Sequence, residues 1–270
     1  LILLICFPLQ VICQNTIGFP DIINYSKQSY KAGLQNWDIK QDKNGIVYFA
    51  NNEGLLSFDG RYWNNHPLPN KTNVRSVEIG PANRIYVGGQ DELGYFAPAA
   101  NGRLLYYSLI EQIAAKDRSF GDVWDIVAFK GNIYFRSPKK IFKFTDRAVA
   151  VFNAPSEWDF LGECNGKLFA HDYAAGLLVF ENDIWAPVFT KNILPVNDPV
   201  TGIISIQKDS AIITTLKNGL FLLSDTRIAV LPSVNNQLFK NERVYAATSI
   251  NKDWIALATN NNGIYITDTK

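Results

Sequence analysis

The chain has 270 residues, 47% of them hydrophobic, so it can bury a sizeable core without disulfides or metals. Its 26 basic and 25 acidic side chains leave a net charge of +1, which excludes bulk attraction to nucleic acid or anionic membranes as the basis of function. Aromatic residues are plentiful (17 Phe, 12 Tyr, 6 Trp), a composition that favours strands.

The first segment, Leu1 to Cys13, is almost wholly apolar and uncharged. It is too short to span a bilayer comfortably. It has the character of the apolar region of a secretory signal without its basic start. Residues 1–14 are therefore read as a signal-peptide remnant and 15–270 as the exported domain, with a buried first strand as the alternative. Acylation of Cys13 is the weaker variant, because the bulky Ile12 precedes it. With Cys6 and Cys13 in the leader, Cys164 is the lone cysteine of the domain and is read as structural, not nucleophilic.

From Asn36 onward one phrase returns six times, at about the 40-residue spacing of a β-propeller blade. The clearest copy is Trp37-Asp38-Ile39, then Asn44-Gly45 leading into Ile46–Ala50, then Gly54-Leu55-Leu56 and Asp59-Gly60. The units run over 36–67, turning at Gly54; 74–108, turning at Gly94; and 123–152, where Lys139-Lys140-Ile141 replaces the glycine. They continue over 157–188 with Gly176, 201–231 with Gly219, and from Val244 to the end with Gly263. Each unit reads as four antiparallel strands, a to d, so the fold class is an all-β propeller of four-stranded blades.

Asn44-Gly45, Asp59-Gly60 and Asn101-Gly102 read as type I′ hairpin turns, which need positive φ at both central residues. The longest insertion, 109–121, carries Ile110, Ile113 and Ala114 at helical spacing and predicts one or two helical turns. The sixth unit lacks its outer strand. Ile22-Ile23-Asn24-Tyr25 has strand character and no blade of its own. Either it closes a six-bladed ring, or the six units belong to a seven-bladed ring; the second reading is favoured.

The stretch from Asn36 to Gly60, with Asp42, Gly45, Tyr48, Asn51, Gly54-Leu55 and Phe58-Asp59-Gly60 at their spacings, resembles the two-component regulator propeller repeat. The likeness is strong in the first unit and fair in the others, except the third, which lacks the turn glycine. It implies the periplasmic sensor region of a bacterial signalling protein anchored in the inner membrane. In such proteins a β-sandwich, a membrane helix and a cytoplasmic histidine kinase or DNA-binding module follow. Dimerisation stays open, and no direct nucleic-acid contact or cofactor is expected of this region.

Propeller strand order places the starts of the a strands and the b–c turns on one rim. Residues there that do not repeat are the candidate ligand contacts: Glu53, Arg75, Asp91, Glu92, Arg136, His171 and Tyr173. Trp37, Trp124 and Trp158 recur and are read as packing between blades. Asp38, Asp125 and Asp159 follow them and are read as hydrogen-bonding within each blade as readily as touching a ligand. Aromatics beside amides, carboxylates and arginines suit a polar small molecule such as a carbohydrate.

No residue is assigned a catalytic or metal-binding role: there is no nucleophile elbow, HExxH, metal-spaced His/Cys set or P-loop. His171-Asp172-Tyr173 is the one local cluster with acid–base capacity. A polysaccharide-cleaving propeller enzyme and a protein-binding scaffold remain the alternatives.

Overall fold

The computed structural model describes residues 22–189, 193–233 and 235–268. The signal-peptide reading of 1–14 lies outside them. A short helix α1 (Lys27–Tyr30) leads into six antiparallel sheets that follow one another along the chain. Blade one is β1 (Asn36–Gln41), β2 (Val47–Asn51), β3 (Gly54–Phe58) and β4 (Trp63–His66). Blade two is β5 (Val74–Ile79), β6 (Ile85–Gly89), β7 (Leu93–Pro98) and β8 (Leu104–Ser108). Blade three is β9 (Asp125–Phe129), β10 (Asn132–Arg136), β11 (Lys140–Phe144) and β12 (Val149–Asn153).

Blade four is β13 (Trp158–Cys164), β14 (Lys167–Asp172), β15 (Gly176–Glu181) and β16 (Ile184–Pro187). Blade five is β17 (Val200–Gln207), β18 (Ser210–Thr215), β19 (Gly219–Ser224) and β20 (Ile228–Val230). A helix, α2 (Asn236–Glu242), then precedes β21 (Val244–Ser249), β22 (Trp254–Thr259) and β23 (Gly263–Asp268) of blade six. Among the described residues no helix is long and apolar enough to cross a membrane.

The middle strands are apolar on both faces because blades two to five are each covered on both sides by their neighbours. Ile133-Tyr134-Phe135 in β10 and Leu168-Phe169-Ala170 in β14 are buried throughout. Outer strands such as β8 keep one face in solvent and alternate over Leu104 to Tyr107. The core is accordingly divided into five clusters, one per seam between consecutive blades. Leu55, Val77 and Phe96 pack between blades one and two, and Ile126 and Phe142 between two and three. Tyr134, Trp158 and Leu161 follow, then Phe169, Val200 and Ile213, then Ile204, Leu220 and Leu257. Each such side chain contributes about 1.5–3 kcal/mol of burial, set against the cost of ordering it.

Between blade six and blade one the described residues form no such cluster. Ile39 on β1 is 56% exposed, whereas its counterparts Val77 and Ile126 on β5 and β9 are 0% and 5% exposed. Ile264 on β23 is 70% exposed, whereas Leu220 at the same place in blade five is 2% exposed. The leading face of blade one and the trailing face of blade six are thus left open.

Several sequence expectations need correction. Ile22–Tyr25 forms no strand, and blade six has three strands among the described residues. The segment lies instead on blade one, where Tyr25 packs edge-on against Phe58 and Trp63 at 5.2 Å each. The b–c turn of blade two is built on Asp91 (φ +49°), not on Gly94, which pairs within β7 opposite Val87. The Asn-Gly and Asp-Gly turns have positive φ at Gly45, Gly60 and Gly102 alone, so they are not type I′. At Asp59 the carboxylate replaces that geometry by accepting the Arg61 and Tyr62 N–H groups. The insertion at 109–121 does form two short 3-10 turns, Ile110–Gln112 and Ala115–Asp117, whereas α2 had no clear sequence signal.

Candidate functional site

Five of the six first strands are irregular at the same place, and in blade three the ladder ends there. Pairing with the second strand slips by one residue between Asn36 and Asp38, Val74 and Ser76, Trp158 and Phe160, Val200 and Gly202, and Val244 and Ala246. In blade three the corresponding residue is Trp124, just before β9, since Asp125 pairs with Arg136 as Asp38 pairs with Ala50. A β-bulge takes one residue out of the ladder and re-aims its side chain. The six residues so released are Trp37, Arg75, Trp124, Asp159, Thr201 and Tyr245. All six line a single cavity of about 840 Å³ enclosed by the first strands. That volume falls in the range of about 300–1,000 Å³ typical of ligand pockets.

The cavity has two chemically distinct sides. On blades one to three the Arg75 guanidinium lies 4.1 Å from the Trp37 ring centroid and 5.1 Å from that of Trp124. The two indoles meet edge to face at 5.6 Å, and Trp37 Nε1–H donates to Asn52 Oδ1 at 2.7 Å. Asp122 Oδ2 lies 3.5 Å from Arg75 Nε. Arg75 Nε and Nη1 and Asp122 Oδ1 are nevertheless buried without a hydrogen-bond partner.

On blades four to six Asp159 Oδ1 pairs with His171 Nδ1 at 2.6 Å, and its Oδ2 accepts the Val200 N–H. Burial pushes the Asp159 carboxyl above the usual carboxylate range, outweighing its bond to His171. Thr201 and Thr214 hydroxyls meet at 2.9 Å. Tyr173 and Tyr245 complete this wall, and burial together with the Asp159 and Glu157 charges raises the Tyr173 phenol.

The aspartates act across seams. Asp38 Oδ2 accepts Val77 N–H (3.0 Å), Asp125 Oδ2 accepts Leu161 N–H (2.9 Å) and Asp159 Oδ2 accepts Val200 N–H (3.1 Å). Between blades two and three Ser76 Oγ donates to Val123 O at 2.8 Å. These bonds tie one inner strand to the next and add to the within-blade role expected from the repeat, which Asp38 fills with the Ile39 N–H, Asp125 with Arg136 and Asp159 with His171.

Of the seven predicted contacts, Arg75, Arg136 and Tyr173 line the cavity. Arg136 is spent on the disc, with Nε on Asp125 (2.6 Å) and Nη1 on the Trp158 carbonyl (3.0 Å). His171 stands behind Asp159, 1% exposed, with Nε2 unpartnered and its ring edge-on to Tyr173 at 6.3 Å. Glu53 is exposed in the b–c turn of blade one, away from the cavity wall. Asp91 anchors the helical insertion by accepting the Phe120 and Gly121 N–H groups at 2.6 and 2.7 Å. Glu92 accepts the Tyr106 and Ser108 hydroxyls at 2.8 and 2.7 Å, bracing blade two.

All three tryptophans line the cavity; Trp158 is also buried in the seam between blades three and four and Trp37 packs against the core between blades one and two, as expected, whereas Trp124 joins none of the five clusters. Aligning blades on the Trp-Asp pair slips blade four by one residue, because there Asp159, not Trp158, occupies the bulge. The recurrence of the Trp-Asp pair argues for packing and so hides Trp37, Trp124 and Asp159 as site residues, and blades five and six lack the pair, so nothing in it marks Thr201 or Tyr245. A usable signal was present: Val74-Arg75-Ser76, Val200-Thr201-Gly202 and Val244-Tyr245-Ala246 repeat a Val, a variable residue and a small residue.

At the opposite strand ends a second cavity, about 410 Å³, lies between blades four and five beside Cys164, Phe169 and Phe189. Burial pushes the Cys164 thiol up to about 11. Among the described residues no group of His, Cys, Asp and Glu is placed to hold a metal ion.

No family model matches the chain, and no curated protein matches it. Solved structures do. The extracellular domain of a hybrid two-component system from B. thetaiotaomicron aligns over 89% of this chain and 32% of its own, with a TM-score of 0.67 and 15% identity. The present chain thus spans about a third of that domain. A catalytically inactive virginiamycin B lyase from Staphylococcus aureus aligns over 91% of this chain and 86% of its own, with a TM-score of 0.64 and 16% identity. The WD40 propeller of Doa1 aligns over 89% and 95%, with a TM-score of 0.54 and 13% identity. At these identities the likeness establishes the propeller fold.

Proposed function

We propose that the chain is the extracytoplasmic ligand-binding propeller of a bacterial signalling protein, and that the channel ringed by the six bulges reads a polar small molecule, with carbohydrate as the leading class. The observation that carries this reading is one strand position, a bulge in five blades and its counterpart Trp124 in blade three, that presents five kinds of group to the channel: two indoles, a guanidinium, a carboxylate, a hydroxyl and a phenol. A position needed only for packing would repeat its residue type, as the Val at 74, 200 and 244 does. The likeness to a two-component extracellular domain supports the signalling context. In that context the chain is exported to the periplasm, and a β-sandwich, membrane helix and output module belong to the rest of the protein.

The open faces of blades one and six support a seventh blade, which would cover Ile39 and Ile264 as the other seams cover Val77 and Leu220. The enzyme reading draws on the His171–Asp159 pair and on the lyase likeness. It is the weaker one, because His171 is shut off from the cavity wall by Asp159.

A thermal-shift screen of the purified chain against mono- and oligosaccharides, amino acids and nucleosides tests the proposal. A ligand class should raise the melting temperature in a dose-dependent way, and Trp124→Ala and Tyr245→Ala should each abolish the shift. A shift that both variants retain would place the site elsewhere.

A further inference from the structure

Three cations line the channel: Lys40, Arg75 and Arg136. Lys40 is held by Glu78 at 2.9 Å and Arg136 by Asp125 at 2.6 Å, so both are neutralised in place. Arg75 is different. Its one carboxylate neighbour, Asp122, stands 3.5 Å from Nε and makes no hydrogen bond, and Nε and Nη1 are left without acceptors. An unmet buried donor costs about 1–3 kcal/mol, and more when it is charged. A fold that holds a guanidinium against two indoles and leaves its donors unmet beside a ligand-sized cavity is arranged to accept an anion there.

The indoles fix the guanidinium by cation–π contact, which leaves its edge for bidentate pairing. Trp37 and Trp124 themselves line the cavity and present ring surface to the C–H faces of a sugar. The far wall carries Tyr173, Thr201 and Tyr245, whose hydroxyls can bond to ligand hydroxyls.

We infer, resting on the channel-site reading above, that the ligand is an acidic saccharide. A sugar-ring carboxylate is bound by Arg75 between Trp37 and Trp124, and the remaining hydroxyls face Tyr173, Thr201 and Tyr245. Asp122 competes with the ligand for the guanidinium.

The test titrates the chain with galacturonate, glucuronate and mannuronate oligosaccharides, each beside its neutral methyl ester. Tryptophan emission and calorimetry give the affinity. At least one acid should bind about tenfold or more tightly than its ester, the size of one charge-assisted contact, and added salt should narrow the gap. Arg75→Gln should lower acid affinity to that of the ester. Asp122→Asn should raise it, an effect that a purely structural Arg75 would not produce; should R75Q melt on its own, D122N carries the test. Equal binding of acid and ester would overturn the inference while leaving the channel site intact. Failure of every acid to bind would overturn it too, and the thermal-shift screen then decides the broader reading separately.

Discussion

Replacing Arg136 by methionine removes two hydrogen bonds, one within blade three and one across the seam to blade four. Arg136 Nε donates to Asp125 Oδ2 at 2.6 Å and Nη1 to the Trp158 carbonyl at 3.0 Å, with the arginine side chain 7% and the aspartate 29% exposed. Breaking a buried ion pair from one side costs about 3–5 kcal/mol. Here Asp125 keeps the Leu161 N–H and some solvent, so about 2–4 kcal/mol is expected of R136M. D125N keeps an acceptor for Leu161 but strands the guanidinium, at about 2 kcal/mol. In the double variant the two losses overlap, giving a coupling of about 1–3 kcal/mol. Urea unfolding followed by circular dichroism and tryptophan emission measures all four proteins, and an unchanged m-value shows that the same transition is compared. An R136M loss below about 0.5 kcal/mol, or strictly additive effects, would refute the assignment of Arg136 to the disc rather than to the ligand.

Asp172, fully buried, accepts the Ser156 N–H and hydroxyl and the Ala174 and Ala175 N–H groups at 2.8–2.9 Å. Burial alone would raise its carboxyl, but these donors outweigh burial and hold it below the usual range. Its stabilisation is therefore present above the unfolded carboxylate value of about 3.9 and lost as pH falls through the folded value. D172A should cost about 3 kcal/mol at pH 7 and D172N about 1, with both penalties shrinking toward pH 2 in urea titrations; a penalty that grows in acid would contradict the assignment. Gly54 has φ +135° and a Cβ there would fall 2.5 Å from the His66 oxygen, so G54A should cost about 3 kcal/mol by the same measurement, and a neutral change would mean that the turn relaxes freely. Cys164, 4% exposed with its thiol raised to about 11, should resist Ellman's reagent at pH 8 until denaturant is added; fast labelling of the native protein would show the seam to be open.

The blade boundaries were legible in the sequence because period, apolar runs and turn glycines all act locally. Unit two, read as 74–108, coincides with β5 to β8. The site was legible only in part. Arg75, Arg136 and Tyr173 stood out as charged or aromatic residues on the right rim, but the bulge that aims Trp37, Trp124, Asp159, Thr201 and Tyr245 inward is a property of strand pairing. Asp91 and Glu92 look like binding residues in one dimension. Their partners lie far along the chain, Gly121 being 30 residues from Asp91 and Ser108 16 from Glu92, so their bracing roles emerge only on folding. The seven-bladed reading implies a gap between the sixth unit and the first, but the exposed residues themselves carry no mark of it, since Ile39 and Ile264 sit in strand phrases like those of buried blades.

The central claim is that the six bulge side chains read the ligand. A crystal structure of the chain with the tightest-binding saccharide tests it most directly. The sugar is expected inside the channel, touching side chains from several bulge positions with its acidic group on Arg75. A ligand seated instead beside Phe169 and Phe189, or on the outer turn at Glu53, with the channel free of sugar, would contradict it.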